Sequence, residues 1–296
     1  LWRMSFVAHL SSIDHEEAMK KIILYIGLST LLFSSMEVAL KLVVSGLDAF
    51  QITFVRFLLG GLLLLPFARR QIRLRGIVIT GRDHRYLLLL GIICIPVSMV
   101  FFQLGVENAN ASTAAVIFSI NPMFTMLFAH KLTEEKMNRA KAIALIIGLC
   151  GIVFMIAPWN MAMGDSMKGT GFSLLAAVAF GLYSAMGRRS IGRLGGITQT
   201  AIGFVYGSLV LLPILFLLGK PVIHGINGDN LLLVIYISFL VPGLGYLFYF
   251  LTMQHANAAT ASIVFFIKPA LAPIFAVIAL NEVISANGMI GIILVF

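Results

Sequence analysis

Apolar runs recur along almost the whole 296-residue chain, at 22 to 44, 50 to 67, 86 to 106, 111 to 131, 140 to 157, 170 to 187, 197 to 218, 230 to 252, 258 to 280 and 287 onward. Short charged or Gly/Pro/Asn breaks separate them. A helix needs roughly 20 mostly apolar residues to cross a membrane, and within the hydrocarbon each backbone polar group must find its partner inside the protein. The runs are apolar on all sides and lack the period-two polarity of barrel strands, so helices are expected. Composition agrees. The chain is 60% apolar and 11% charged, with a mean hydropathy of +1.01, whereas soluble domains carry about 25% charged residues. The expected fold class is therefore an all-α membrane protein with ten transmembrane helices. The first 18 residues mix Arg3, His9, Asp14, His15, Glu16 and Glu17 and lack the apolar core of a signal peptide. Met19-Lys20-Lys21 reads as a natural start, so residues 1–18 are taken as an upstream extension or expression remnant. The last run reaches only Phe296 and reads as a truncated helix.

Sliding the sequence by 147 positions exposes an internal repeat. Asn110-Ala111 falls on Asn257-Ala258, Thr113-Ala114 on Thr260-Ala261, Phe118 on Phe265, Pro122 on Pro269 and Glu135 on Glu282. The same shift carries Phe33 onto Phe180, Lys41 onto Arg188, Gly60 onto Gly207 and Pro66 onto Pro213, without a gap. The chain thus divides into repeats at 19–157 and 158–296, each with five spans. Because five is odd, the second copy enters the membrane from the opposite side, which is an inverted-topology repeat.

Charge placement follows the same alternation. Sixteen Lys and Arg fall on the side of the amino terminus, including Lys20, Lys21, the stretch Arg69 to Arg85, Lys131 to Lys141 and Arg188 to Arg193, against three, Lys41, Lys168 and Lys220, on the other. The positive-inside rule then puts both termini in the cytoplasm and explains the net charge of +9 without nucleic acid as a partner. The arginine-rich loop also suits contact with anionic membrane lipids. The expected location is the plasma membrane.

Two basic residues, Arg56 and Lys268, fall inside spans, and Glu37 is the one acid well within a span. Intramembrane charges cost about 2.5–3.5 kcal/mol each to insert, which makes them functional candidates by default. Glu37 and Arg56 each lie about 10 Å from the ends of the first two helices at the short connection between them. They could pair, a structural explanation for both. Alternatively, Glu37 binds a proton or a substrate amine. Lys268 falls near the midplane of the ninth span, where no acid is expected at its depth. An unpaired ammonium there meets an anionic group such as a carboxylate, or stays neutral. Its repeat mate is Asn121, and each precedes a proline. Pro122 and Pro269 free the carbonyls of Phe118 and Phe265, so both helices are expected to bend near the centre. Ser34, Ser119, Gln103, Tyr183, Tyr246 and Phe265 complete the candidate lining. Each of the polar ones is equally compatible with interhelical packing. Glu135 and Glu282 stand just before Asn138 and Ser285, which look like N-caps, and favour the positive starts of the fifth and tenth helices. Gly60-Gly61 and Gly203 with Gly207 read as packing faces.

No zinc motif, nucleophile elbow or phosphate-binding loop is present in the sequence. Cys94 and Cys150 lie in apolar runs without nearby ligands. An enzyme, a resident metal and a cofactor are therefore not expected.

The repeated pattern resembles the EamA type of the drug/metabolite transporter superfamily, over essentially Met19 to Phe296. The residues that carry the likeness are Lys41, Arg56-Phe57, the Asn-Ala-small-Thr-Ala starts of the fourth and ninth spans, Pro122, Glu135, Phe266-Ile267-Lys268-Pro269 and Glu282. The resemblance implies a basket of helices around a central cavity, alternating access, and export or exchange of small metabolites such as amino acids. Proton or exchange coupling is compatible with it, and it leaves the oligomeric state open. The alternatives are an organic-anion transporter built on Lys268 and a membrane receptor or partner protein that does not transport.

Overall fold

The computed structural model describes residues 2–44, 46–132, 143, 146–147, 150–151, 167–256 and 258–295. Its described residues are helical and connected by turns. Seven helices are long and apolar enough to cross a membrane: α1 (Met19–Val43), α2 (Ala49–Arg75), α3 (Gly81–Asn108), α4 (Ala111–Leu132), α5 (Met167–Arg188), α6 (Gly196–Leu217) and α7 (Leu231–Met253). The long apolar α8 (Ala258–Leu280) and the short α9 (Ala286–Val295) follow. Most of the expected fifth span, and Glu135, lie outside the described residues.

Local signals set the helix ends. Asp48 caps α2 by accepting a hydrogen bond from the Phe50 amide at 2.9 Å. At its far end Gly76 takes the left-handed conformation, φ 60°, which glycine adopts without strain. Thr80 and Asp83 form a reciprocal capping box at the start of α3. Ser285 caps α9 through the Gly288 amide at 3.0 Å, as its position suggested.

Neighbouring helices close a ring in the order α1, α8, α4, α5, α3, α6, α2, α7 and back to α1. Each contact in the ring has a counterpart under the 147-residue shift: α1 with α8 matches α5 with α4, and α2 with α7 matches α6 with α3. The extensive contact of α2 with α6 is its own counterpart. At its centre Phe57 meets Phe204, its repeat mate, ring centroids 4.8 Å apart. Two related residues that touch must straddle the axis relating the halves.

Glycine allows the backbones to approach at the neighbouring crossings, of α3 with α6 and of α2 with α7. A Cβ on Gly91 would stand 2.8 Å from the Gly207 nitrogen and in collision with the Gly203 carbonyl, and one on Gly60 would stand 2.7 Å from Pro242. The α3 and α7 helices each contain a π-helical stretch, Ile93–Met99 around Pro96 and Tyr236–Gly245 around Pro242. There the missing proline amide is absorbed by looser winding.

The two expected bends differ. In α4 the helix is interrupted at Ile120, where the Asn121 side-chain amide donates to the Phe118 carbonyl at 2.8 Å. In α8 the helix runs on through Pro269 and Pro273. Asn121 thus spends a donor on the carbonyl that Pro122 frees, while Lys268 at the related position is engaged elsewhere.

Replacing Gly91 by Ala is expected to destabilise the protein by about 1–3 kcal/mol, the usual cost of overpacking. Gly171, with open space where its Cβ would go, is the control. Thermal unfolding in detergent should separate the two variants.

Candidate functional site

The expected pairing of Glu37 with Arg56 is not what the structure contains. Glu37 Oε1 lies 2.6 Å from Lys268 Nζ, and the two side chains are 1% and 4% exposed. Lys268 therefore does have an acid at its depth. Two features account for the difference. Rise per residue locates the Cα, whereas a lysine stem carries its charge several ångströms further. In addition, α1 lies against α8 in the ring, a neighbour that chain order does not suggest.

Lys268 Nζ also lies 5.4 Å from the ring centre of Phe118 and 5.9 Å from that of Phe102, within range of cation–π attraction. Around the ion pair the rings link into two chains. One runs from Phe102 through Phe118 and Phe180 to Tyr183. The other runs from Phe265 through Phe33, Tyr246 and Phe204 to Phe57. Phe33 and Phe180 are repeat mates, as are Phe118 and Phe265, so the aromatic wall is shared between both halves. Most of it went unpredicted from sequence, because 23 phenylalanines in apolar helices carry no mark of which face inward. The repeat pairing is the signal that would have picked these out.

The remaining candidates divide by whether their polar groups are already used. Ser119 donates to the Ala115 carbonyl in its own helix at 2.7 Å, and Asn121 to Phe118. Ser34 Oγ and both amide atoms of Gln103 are buried without a hydrogen-bond partner, as are Nε and Nη1 of Arg56. Buried polar groups almost always find partners. Ser34 is three residues from Glu37, and Gln103 follows Phe102, whose ring faces Lys268.

One end of the bundle is held by charges that cap helices. Lys41, at the end of α1, donates to the carbonyls of Val106, Glu107 and Ala109 at 2.8, 3.2 and 2.5 Å. Glu282, beyond α8, accepts from the amides of Ala111 and Ser112 at 2.6 and 3.1 Å and from the Ser112 hydroxyl at 2.6 Å. Glu282 thus caps α4 rather than the helix that follows it, because the positive start of α4 is brought beside it by the α4 contact with α8. Lys220 and Asp48 form an ion pair of 2.7 Å at the same end. At the opposite end Gln71 accepts from the amide and hydroxyl of Thr198 at 3.1 and 2.9 Å, and Arg193 pairs with Asp83.

The EamA-like transporter family model matches residues 20–157 and again residues 167–296. The chain belongs to the EamA-like transporter family. It is 35% identical over 283 residues to an uncharacterized transporter of Clostridium kluyveri, covering 94% of this chain and 91% of that one. A second uncharacterized transporter, from Archaeoglobus fulgidus, is 22% identical over 88% of this chain and 89% of its own. A WAT1-related chloroplastic protein of Arabidopsis thaliana is 26% identical over 64% of this chain and 48% of its own. A solved crystal structure shares the fold, with a TM-score of 0.62 at 18% identity over 93% of this chain and 94% of that one. The protein is thus a multi-pass integral membrane protein of a transporter family.

Removing one member of a buried pair strands the other charge, at a cost of about 3–5 kcal/mol, whereas removing both is far cheaper. Glu37→Gln and Lys268→Met are each expected to lower the melting temperature in detergent. The double variant should recover most of the loss, and a double-mutant cycle measures the coupling.

Proposed function

We propose that the protein is a secondary transporter or facilitator that moves a small polar metabolite across the plasma membrane by alternating access, and that this metabolite is an amino acid, exported from the cell. The layout we infer is ten transmembrane helices in two inverted repeats of five, with both termini cytoplasmic. The observation that supports the reading is the buried ion pair of Glu37 and Lys268. A free amino acid carries the complementary pair of charges. Its carboxylate can replace Glu37 on Lys268, and its ammonium can replace Lys268 on Glu37. Both protein charges then stay neutralised throughout binding, which a buried site demands. Without cargo the pair neutralises itself, so an empty carrier meets no uncompensated charge from these two residues when it changes state.

Ser34 and Gln103, buried with unpartnered polar groups, supply further hydrogen bonds, and the rings of Phe102, Phe118 and Phe265 enclose the stem of the solute. Asn121, Ser119, Tyr183 and Tyr246 line the remaining wall. Pro122, Pro269, Glu135 and Glu282 belong to the moving frame, where release of the Glu282 cap from α4 accompanies opening at that end.

The test is counterflow in proteoliposomes, with amino acids and organic anions screened against an internal labelled pool. Wild type is expected to exchange amino acids, and Lys268→Ala to lose at least about 10-fold in rate at low solute, the effect of one charge-assisted contact. Equal exchange by wild type and variant would show that Lys268 does not bind the cargo. Exchange of organic anions in preference to any amine-bearing solute would favour the anion-transporter alternative.

A further inference from the structure

Arg56 is left over from the ion pair. Its guanidinium belongs to a residue 2% exposed, with Nε and Nη1 unpartnered. Its one polar contact is Nη2 to the Met99 sulfur at 3.7 Å, and its Cζ stands 4.5 Å from the ring centre of the adjacent Phe57. No carboxylate among the described residues pairs with it. Arginine keeps its proton under all ordinary conditions and presents a planar fork suited to a carboxylate. Elsewhere the fold does provide for its basic side chains: Lys41 has three carbonyls, Lys220 has Asp48 and Arg193 has Asp83.

The unprovided guanidinium lies close to the pair. Glu37 and Arg56 sit about 10 Å from the same end of their helices, counted by rise per residue. Met99, which touches Arg56, and Phe102, which faces Lys268, are three residues apart on α3, about 4.5 Å along the axis. The unpartnered amide of Gln103 belongs to the same turn. This layer therefore holds one acid and two bases among the described residues. Repeat symmetry does not explain the imbalance. The mate of Arg56 is Gly203, that of Glu37 is Ser184 and that of Lys268 is Asn121, so all three charges occur in one of each pair of related positions.

We propose that Arg56 is a second anchoring point for the cargo, binding an additional acid group, so that the preferred solute is an amino acid with a carboxylate side chain. This rests on the amino-acid reading of Glu37 and Lys268. A neutral amino acid satisfies those two residues and leaves Arg56 stranded. A side-chain carboxylate neutralises it.

The experiment compares each acid with its own amide, which has nearly the same shape. Exchange of a labelled amino acid is competed with aspartate, asparagine, glutamate, glutamine and glutarate, using wild type, Arg56→Gln and Arg56→Lys in proteoliposomes. Wild type is expected to prefer the acid over its amide by about 10-fold or more, the worth of one charge-assisted hydrogen-bonded contact. Arg56→Gln should bring that ratio toward one, and Arg56→Lys should keep part of it. A wild-type ratio near one, a ratio unchanged in Arg56→Gln, or glutarate competing better than glutamate would each overturn the assignment of Arg56. In the first two cases the reading of Glu37 and Lys268 stands. If Arg56→Gln does not fold, the wild-type ranking and Arg56→Lys decide. Absence of exchange with every amino acid overturns the underlying reading, and this inference with it.

Discussion

Two opposite charges, 2.6 Å apart and almost wholly shielded from solvent, set the terms for the rest of this molecule. Neither Glu37 nor Lys268 is tolerable alone at that depth, so α1 and α8 have to come together although nearly the whole chain separates them. The ring closes through this contact. It joins a helix from the first repeat to one from the second, and the aromatic chains on either side likewise draw on both halves. Apolar packing alone would leave the two halves free to slide in a lipid solvent that is as apolar as their side chains. The ion pair and the glycine-lined crossing of α3 with α6 give the two halves a defined register.

Arg56 alters this picture in one respect. The ion pair is self-contained, and a structure built only for stability would stop there or replace the pair with well-packed apolar residues. A third buried charge, whose polar contact is the Met99 sulfur on α3, keeps two of its nitrogens unpartnered. Its place beside the pair, reaching from α2 to Met99 on α3, gives the centre a polarity that its pseudo-symmetry lacks. The order of helix contacts matches between the halves, but the ionised groups break the match.

Much of the architecture was legible in advance because apolar length and the 147-residue repeat are properties of composition along the chain, insensitive to how helices are arranged. Lys268, Glu37 and Arg56 stood out for the same reason: a charge in an apolar run is conspicuous wherever it ends up. Which charge meets which was not legible. Glu37 has a cation close by in sequence, yet its partner came from the far end of the chain, and helix order around the ring is not written in any local signal. Glu282 shows the same limit. Its chemistry as a helix-capping acid was evident, but the helix it caps, α4, is a spatial neighbour rather than the next one along. Asn121 stood out by its depth beside Pro122, and the structure shows its amide bonding the carbonyl that Pro122 leaves free.

The π-helical stretches in α3 and α7 have a consequence for how such a site changes over time. An ordinary α-helix turns about 100° per residue, and one extra residue accommodated in a π turn rotates everything beyond it by about that angle relative to everything before. Phe102 and Gln103 follow such a stretch, and so do Tyr246 and Tyr249. The inward faces of α3 and α7 are therefore indexed, like positions on a dial, by how many residues the π turn holds. A single-residue insertion or deletion there would turn a different set of side chains to the same face of the helix without a change of fold.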